Sequence, residues 1–109
     1  MYKIELENRQ KSCDEIWKKI TEYLEKEGHF ESVNGVKYTV TSILEDRINY
    51  RGDKKGTHRG KGETMTIDEF FAAFDPIRER EFNTSIVKEF IDRKQSPFVG
   101  LLLSVGLAK

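Results

Sequence analysis

Apolar and polar positions alternate at the start of the chain. In "YKIEL", Tyr2, Ile4 and Leu6 fall on one side and Lys3 and Glu5 on the other, which predicts a short half-buried strand. The period then lengthens. In "SCDEIWKKITEYLEKEG", Ile16, Ile20 and Leu24 recur at helical spacing with Trp17 beside them. Ser12 followed three residues later by Glu15 has the form of a capping box, and Gly28 can close the far end. The opposite side of this helix, Lys18, Lys19, Glu22, Glu25 and Lys26, mixes both signs and reads as solvated surface rather than a binding strip.

From Phe30 the two-residue period returns. Asn34-Gly35 predicts a type I′ hairpin turn, after which Val36, Tyr38 and Val40 alternate with Lys37, Thr39 and Thr41. Glu45 and Asp46 supply the next turn, and "RINYR" a third strand with Ile48 and Tyr50 inward and Arg47, Asn49 and Arg51 outward. "ETMT" adds a short edge strand. Thr66 and Glu69 repeat the capping-box pattern and open a helix that buries Phe70, Phe71 and Phe74. Asp75-Pro76 is expected to end that helix, because the residue before proline is pushed out of the α region. "NTSIVKEFIDRK" then places Ile86, Val87, Phe90 and Ile91 at helical spacing. Ser96-Pro97 predicts a cap followed by proline at the first position of a last, apolar helix, "PFVGLLLSVG".

The predicted fold class is α+β: an N-terminal helix, a three- to four-stranded antiparallel meander, then two to three C-terminal helices. No repeat and no parting linker interrupts residues 1–109, which form one predicted domain with a flexible basic Gly-rich loop at 51–62.

Composition narrows the class of function. Charged residues make up 35% of the chain, above the roughly 25% of ordinary soluble proteins, which implies a strongly solvated exterior. Nineteen basic and nineteen acidic residues cancel, so no overall field draws the chain to nucleic acid or an anionic membrane, and any electrostatic grip must be local. The single cysteine, Cys13, excludes an internal disulfide and fits a reducing, cytoplasmic compartment. "MYKIELENRQ" carries charges where a signal peptide needs an apolar run. The longest apolar stretch, at the C-terminus, is shorter than the ~20 residues that span a bilayer. No membrane partner is expected.

The local charge lies in "RGDKKGTHRGKG", where residues 51–62 hold four glycines, five Lys/Arg, one histidine and one acid. It is not the phosphate-binding loop of nucleotide hydrolases. Only three residues separate Gly56 from Gly60, and Gly62 follows Lys61 where that motif needs a hydroxyl for Mg²⁺. "RGD" at 51–53 is a common tripeptide, without the extracellular features that would make it an adhesion ligand. Metal chemistry is poorly supplied, since His29 and His58 are the only histidines and flank the predicted meander. Asp46, Asp53, His58 and Lys54 offer the residue types of a Mg²⁺-dependent nuclease without a distinctive spacing. Cys13 sits at a predicted helix start, where a thiol can be activated, although a lone cysteine there is more often simply packed.

A binding role remains for the loop. Glycines let backbone N–H groups approach a phosphate, while Arg51, Lys54, Lys55, Arg59 and Lys61 neutralise charge, with outward Arg47 extending the patch and His58 among them. The plainer reading is a polar connector, and the loop lacks the aromatics that single-strand binders use for base stacking. A second reading starts from "PFVGLLLSVGLAK": an apolar helix must be buried by its own chain or by another copy, as in a homo-oligomer.

The run "FESVNGVKYTVTSILEDRINY", with "GETMTIDEFFAAF" and "SPFVGLLLSVGL", resembles small accessory modules of prokaryotic phages and mobile elements, some of them defence- or restriction-associated. The likeness spans residues 30–107 and brings no site residues with it. It implies a protein that acts by binding in attack or defence. The leading expectation is a small non-catalytic binding protein, without cofactor, whose basic loop engages nucleic acid or an acidic protein surface.

Overall fold

The computed structural model describes residues 1–52 and 62–109. Helix α1 (Cys13–Glu27) forms as its pattern predicts. Ser12 accepts from the Glu15 backbone, Glu15 reaches back to Ser12, and Gly28 ends the helix with φ at 76°. Its buried stripe is Ile16, Trp17, Ile20 and Leu24. Four strands follow, β1 (His29–Glu31), β2 (Lys37–Ile43), β3 (Arg47–Gly52) and β4 (Glu63–Thr66), paired antiparallel in the order β1-β2-β3-β4. Helices α2 (Ile67–Ile77), α3 (Thr84–Val87) and α4 (Gln95–Val105) complete the chain. This is the predicted α+β class. Phe30, Ile48, Tyr50 and Met65 project from one side of the sheet into a core shared with Phe70, Phe74, Phe98 and Leu101.

Several local expectations are corrected. "YKIEL" makes only two isolated bridges, Tyr2 to Phe82 and Ile4 to Ala108, before a 3-10 turn at Leu6–Asn8 leaves Leu6 exposed. The predicted two-residue I′ turn is instead a three-residue connection. Ser32 N donates to Val36 O, Gly35 N to Ser32 O, and Gly35 alone takes positive φ, the arrangement of a tight turn followed by a left-handed glycine. Helix α2 runs past Asp75-Pro76 to Ile77, because a proline this close to the C-terminal end removes few of the helix's bonds and Ile77 is buried. Helix α3 stops at Val87. Beyond it Glu89 N and Phe90 N bond three residues back, and Arg93 takes a left-handed φ of 59°. Ser96 does not cap α4. The cap residue is Lys94, and Pro97 occupies the third helical position, where its missing N–H is still one of those a helix start leaves unpaired.

Helix α4 packs along β1. Gly100 lies so close to β1 that a Cβ there would stand 2.1 Å from Glu31 O. Pro97, Phe98, Val99, Leu101 and Leu102 are buried by the same chain, so the apolar surface behind the expected homo-oligomer is largely consumed within one copy. Among the described residues, no helix is long and apolar enough to cross a membrane.

Candidate binding face

One side of the sheet carries the core; the other is polar. On β3, Arg47, Asn49 and Arg51 point away from buried Ile48 and Tyr50. Their cross-strand neighbours share that outer side: Ser42 and Thr64 flank Asn49, and Thr39 lies opposite Arg51. A register shift between Val40 and Ser42 is decisive here. Strict alternation from Val40 would turn Ser42 inward and Ile43 outward, whereas the extra residue, Thr41, lets Val40 and Ile43 both pack on the core while Ser42 faces out. The result is a hydrogen-bonded row across three strands. Thr64 Oγ1 donates to Asn49 Oδ1 at 2.6 Å, and Asn49 Nδ2 donates to Ser42 Oγ at 2.8 Å. Among the described residues the Ser42 hydroxyl accepts this bond and donates none.

The two predicted cations within the described residues differ in state. Arg47 is engaged: its Nε and Nη2 donate to both carboxylate oxygens of Asp46, at 3.0 and 2.8 Å. That paired hydrogen bond holds the Asp46 carboxyl below its ordinary value and Arg47 above its own, leaving little net charge there. Arg51 is exposed and has no ion pair among the described residues. Lys54, Lys55, His58, Arg59 and Lys61 lie outside the described residues, as does Asp53 of the nuclease set. In sequence they connect Gly52 of β3 to β4. Removing the five basic residues and one acid of 51–62 from nineteen of each leaves fourteen basic and eighteen acidic residues elsewhere. The neutral chain is thus a basic segment on an acidic remainder.

On the core side of the same strands, Phe30, Tyr38 and Tyr50 pack as an aromatic cluster with ring centroids 5.2 to 5.5 Å apart. The Tyr50 hydroxyl is buried without a hydrogen-bond partner among the described residues. Burial first, then the neighbouring Glu63 charge, pushes both the Tyr50 and Tyr38 phenols up. At the far edge Lys94 Nζ bonds Glu69 Oε2 at 2.8 Å and the Thr64 carbonyl of β4, and at the near edge the Ser104 hydroxyl accepts from Glu31 N of β1. Desolvation raises the Glu69 carboxyl, but Lys94 and the Thr66 cap outweigh it, and the net shift is downward.

Other chemistry is not assembled on this face. Among the described residues no group of three or more His, Cys, Asp or Glu could hold a metal ion. His29 is exposed on β1. Cys13 is also exposed rather than packed, with Arg78 Nη2 3.9 Å from its Sγ. Pockets of about 430, 330 and 290 Å³ lie beside the N-terminal bridges, at the β1–α4 junction and on the outer side of α1, and none is lined by Asn49, Arg51 or Thr64. Sequence reasoning turned Asn49 outward correctly but missed the row it organises; the outward threonines were the available signal, and the bulge that turns Ser42 outward left none. No family model matches the chain, and comparison with curated proteins and solved structures gives no match.

Proposed function

We propose that this is a small non-catalytic binding protein whose basic segment, beginning at Arg51, engages nucleic acid. The observation that carries the reading is Arg51 itself: an exposed guanidinium without an ion pair among the described residues, beside a row of hydroxyl and amide groups. Such groups are the usual partners of phosphate oxygens. Lys54, Lys55, Arg59 and Lys61 follow it in sequence, and the rest of the chain is acidic. A polyanion is thus attracted by the basic segment and repelled by the acidic remainder of the chain. The resemblance to phage and mobile-element modules suggests interference with host defence as the setting.

Fluorescence anisotropy with labelled DNA and RNA tests this. Wild type binds with an affinity that falls steeply with salt, and replacing Arg51, Lys54, Lys55, Arg59 and Lys61 by Ala or Ser abolishes binding. Binding unchanged by those replacements overturns the reading. Absence of wild-type binding also overturns it and transfers the segment to an acidic protein surface.

A further inference from the structure

We infer that the cleft beside the N-terminal bridges is a binding site for a phosphate monoester, held by Arg9, Lys3 and Lys109. The cleft measures about 430 Å³, within the range of small-ligand sites, and is lined by Lys3, Ile4, Glu5, Leu6, Arg9 and Lys109. Two distant chain segments build it. Lys3 N donates to Lys109 O and Lys109 N to Lys3 O, both at 3.0 Å, so the two lysines face each other as a hydrogen-bonded cross-strand pair. Their neighbours Ile4 and Ala108 are buried, which turns both lysine side chains to the outer side.

Like charges directly opposite one another destabilise a strand pair, and both lysines are exposed, so packing does not demand lysine at either position. A third cation is brought to them and held. Arg9 is half-buried, and its Nε donates to Ile4 O at 3.0 Å. Among the described residues neither Arg9 nor Lys3 enters an ion pair, and the two terminal nitrogens of the guanidinium have no acceptor. Glu5 is the one acidic side chain in the lining, and it lies 3.9 Å from Lys109, at the limit of an ion pair. Lys109 is thus partly compensated, while a guanidinium edge and an ammonium are left free. A guanidinium fixed through Nε presents Nη1 and Nη2 as a fork for two oxygens of one anion, and the ammonium supplies the second charge that a dianion needs. Exposed Leu6 gives the rim an apolar side for the organic group of an ester. A free metabolite and the 5′ end of an oligonucleotide carry this same phosphate group.

Isothermal titration of the full chain with phenyl phosphate, inorganic phosphate and acetate tests the site, with thermal melts to establish folding. Phenyl phosphate is expected to bind wild type and raise its melting temperature, inorganic phosphate to bind more weakly, and acetate more weakly still. Arg9→Gln and Lys3→Gln each weaken phenyl phosphate binding about tenfold or more, whereas Lys26→Gln on α1 binds as wild type. Lys3→Gln also removes the opposed charges, so without ligand it melts no lower than wild type. A 5′-phosphorylated dinucleotide that binds more tightly than phenyl phosphate, and more tightly than its 5′-hydroxyl form, identifies an oligonucleotide end as the source of the group; the reverse order identifies a small metabolite. Folded wild type that binds no phosphate overturns the inference, as does phosphate binding that Arg9→Gln and Lys3→Gln leave unchanged. Should Arg9→Gln fail to fold, Lys3→Gln decides. The site and the basic segment are read by different variants, so either can fail alone.

Discussion

Lys94 and Glu69 join three elements at one point. The ammonium sits 2.8 Å from the Glu69 carboxylate and also bonds the Thr64 carbonyl, while Glu69 bonds the Thr66 N–H and hydroxyl at the start of α2. The start of α4, the start of α2 and the edge of β4 are therefore fastened by one cation and one anion.

This fastening has a pH signature. Glu69 is lowered from an ordinary value of 4.5, so its contribution is complete above that pH and disappears as pH falls below it. Chemical denaturation at pH 6 and pH 3 should show a smaller stability difference for Glu69→Gln than for wild type. An equal difference would exclude the pair as a source of acid sensitivity.

Gly100 is required by packing. Its α-hydrogen faces β1, and a Cβ would meet Glu31 O at 2.1 Å and Ser32 Cα at 2.5 Å, both backbone atoms that cannot swing aside. Gly100→Ala should cost about 3 kcal/mol, read as a lowered urea midpoint. Ala at this position with wild-type stability would mean that α4 does not approach β1 so closely.

Arg78 fastens the start of α1 to α2. Its Nη1 donates to the carbonyls of Arg9 and Lys11, its Nε to Asp75 at 2.8 Å, and its guanidinium lies 4.8 Å from the Phe74 ring centroid. Arg78→Lys keeps the charge but loses the planar fork, and should destabilise by about 2 kcal/mol. Thermal melts of Arg78→Lys and Arg78→Met should give similar losses, because geometry rather than charge is what is removed.

Arg93 carries a left-handed backbone just before Lys94. Arg93→Gly relieves it and should raise stability by up to about 1 kcal/mol. A loss on that substitution would show that the side chain makes a contact worth more than the strain.

The Tyr50 hydroxyl is buried without a partner among the described residues, so Tyr50→Phe should be neutral or stabilising in denaturant titrations. A loss above about 1 kcal/mol would reveal a hydrogen bond at that oxygen.

Much of the fold was legible because local chemistry and tertiary packing agree. Ser12 with Glu15, Thr66 with Glu69 and Gly28 each satisfy helix ends from within a few residues, and the alternation of Ile48 and Tyr50 matches a sheet buried on one side. Errors fell where distant contacts override local preference. Ile77 is buried and extends α2 past Pro76; Lys94, held by β4 and Glu69, starts α4 where Ser96 was expected to. The candidate face was half legible. Outward Arg47, Asn49 and Arg51 follow from the strand period, but the cancellation of Arg47 depends on the side-chain conformation of its neighbour Asp46, and the outward turn of Ser42 on one bulged residue.

Lys94 and Ser104 have a consequence beyond stability. Each occupies a main-chain group at an outer border of the sheet, the Thr64 carbonyl on β4 and the Glu31 N–H on β1. A fifth strand, from a partner or from another copy, would have to displace these side chains before it could pair. Recruitment by strand addition and fibrillar stacking are both discouraged at the two borders.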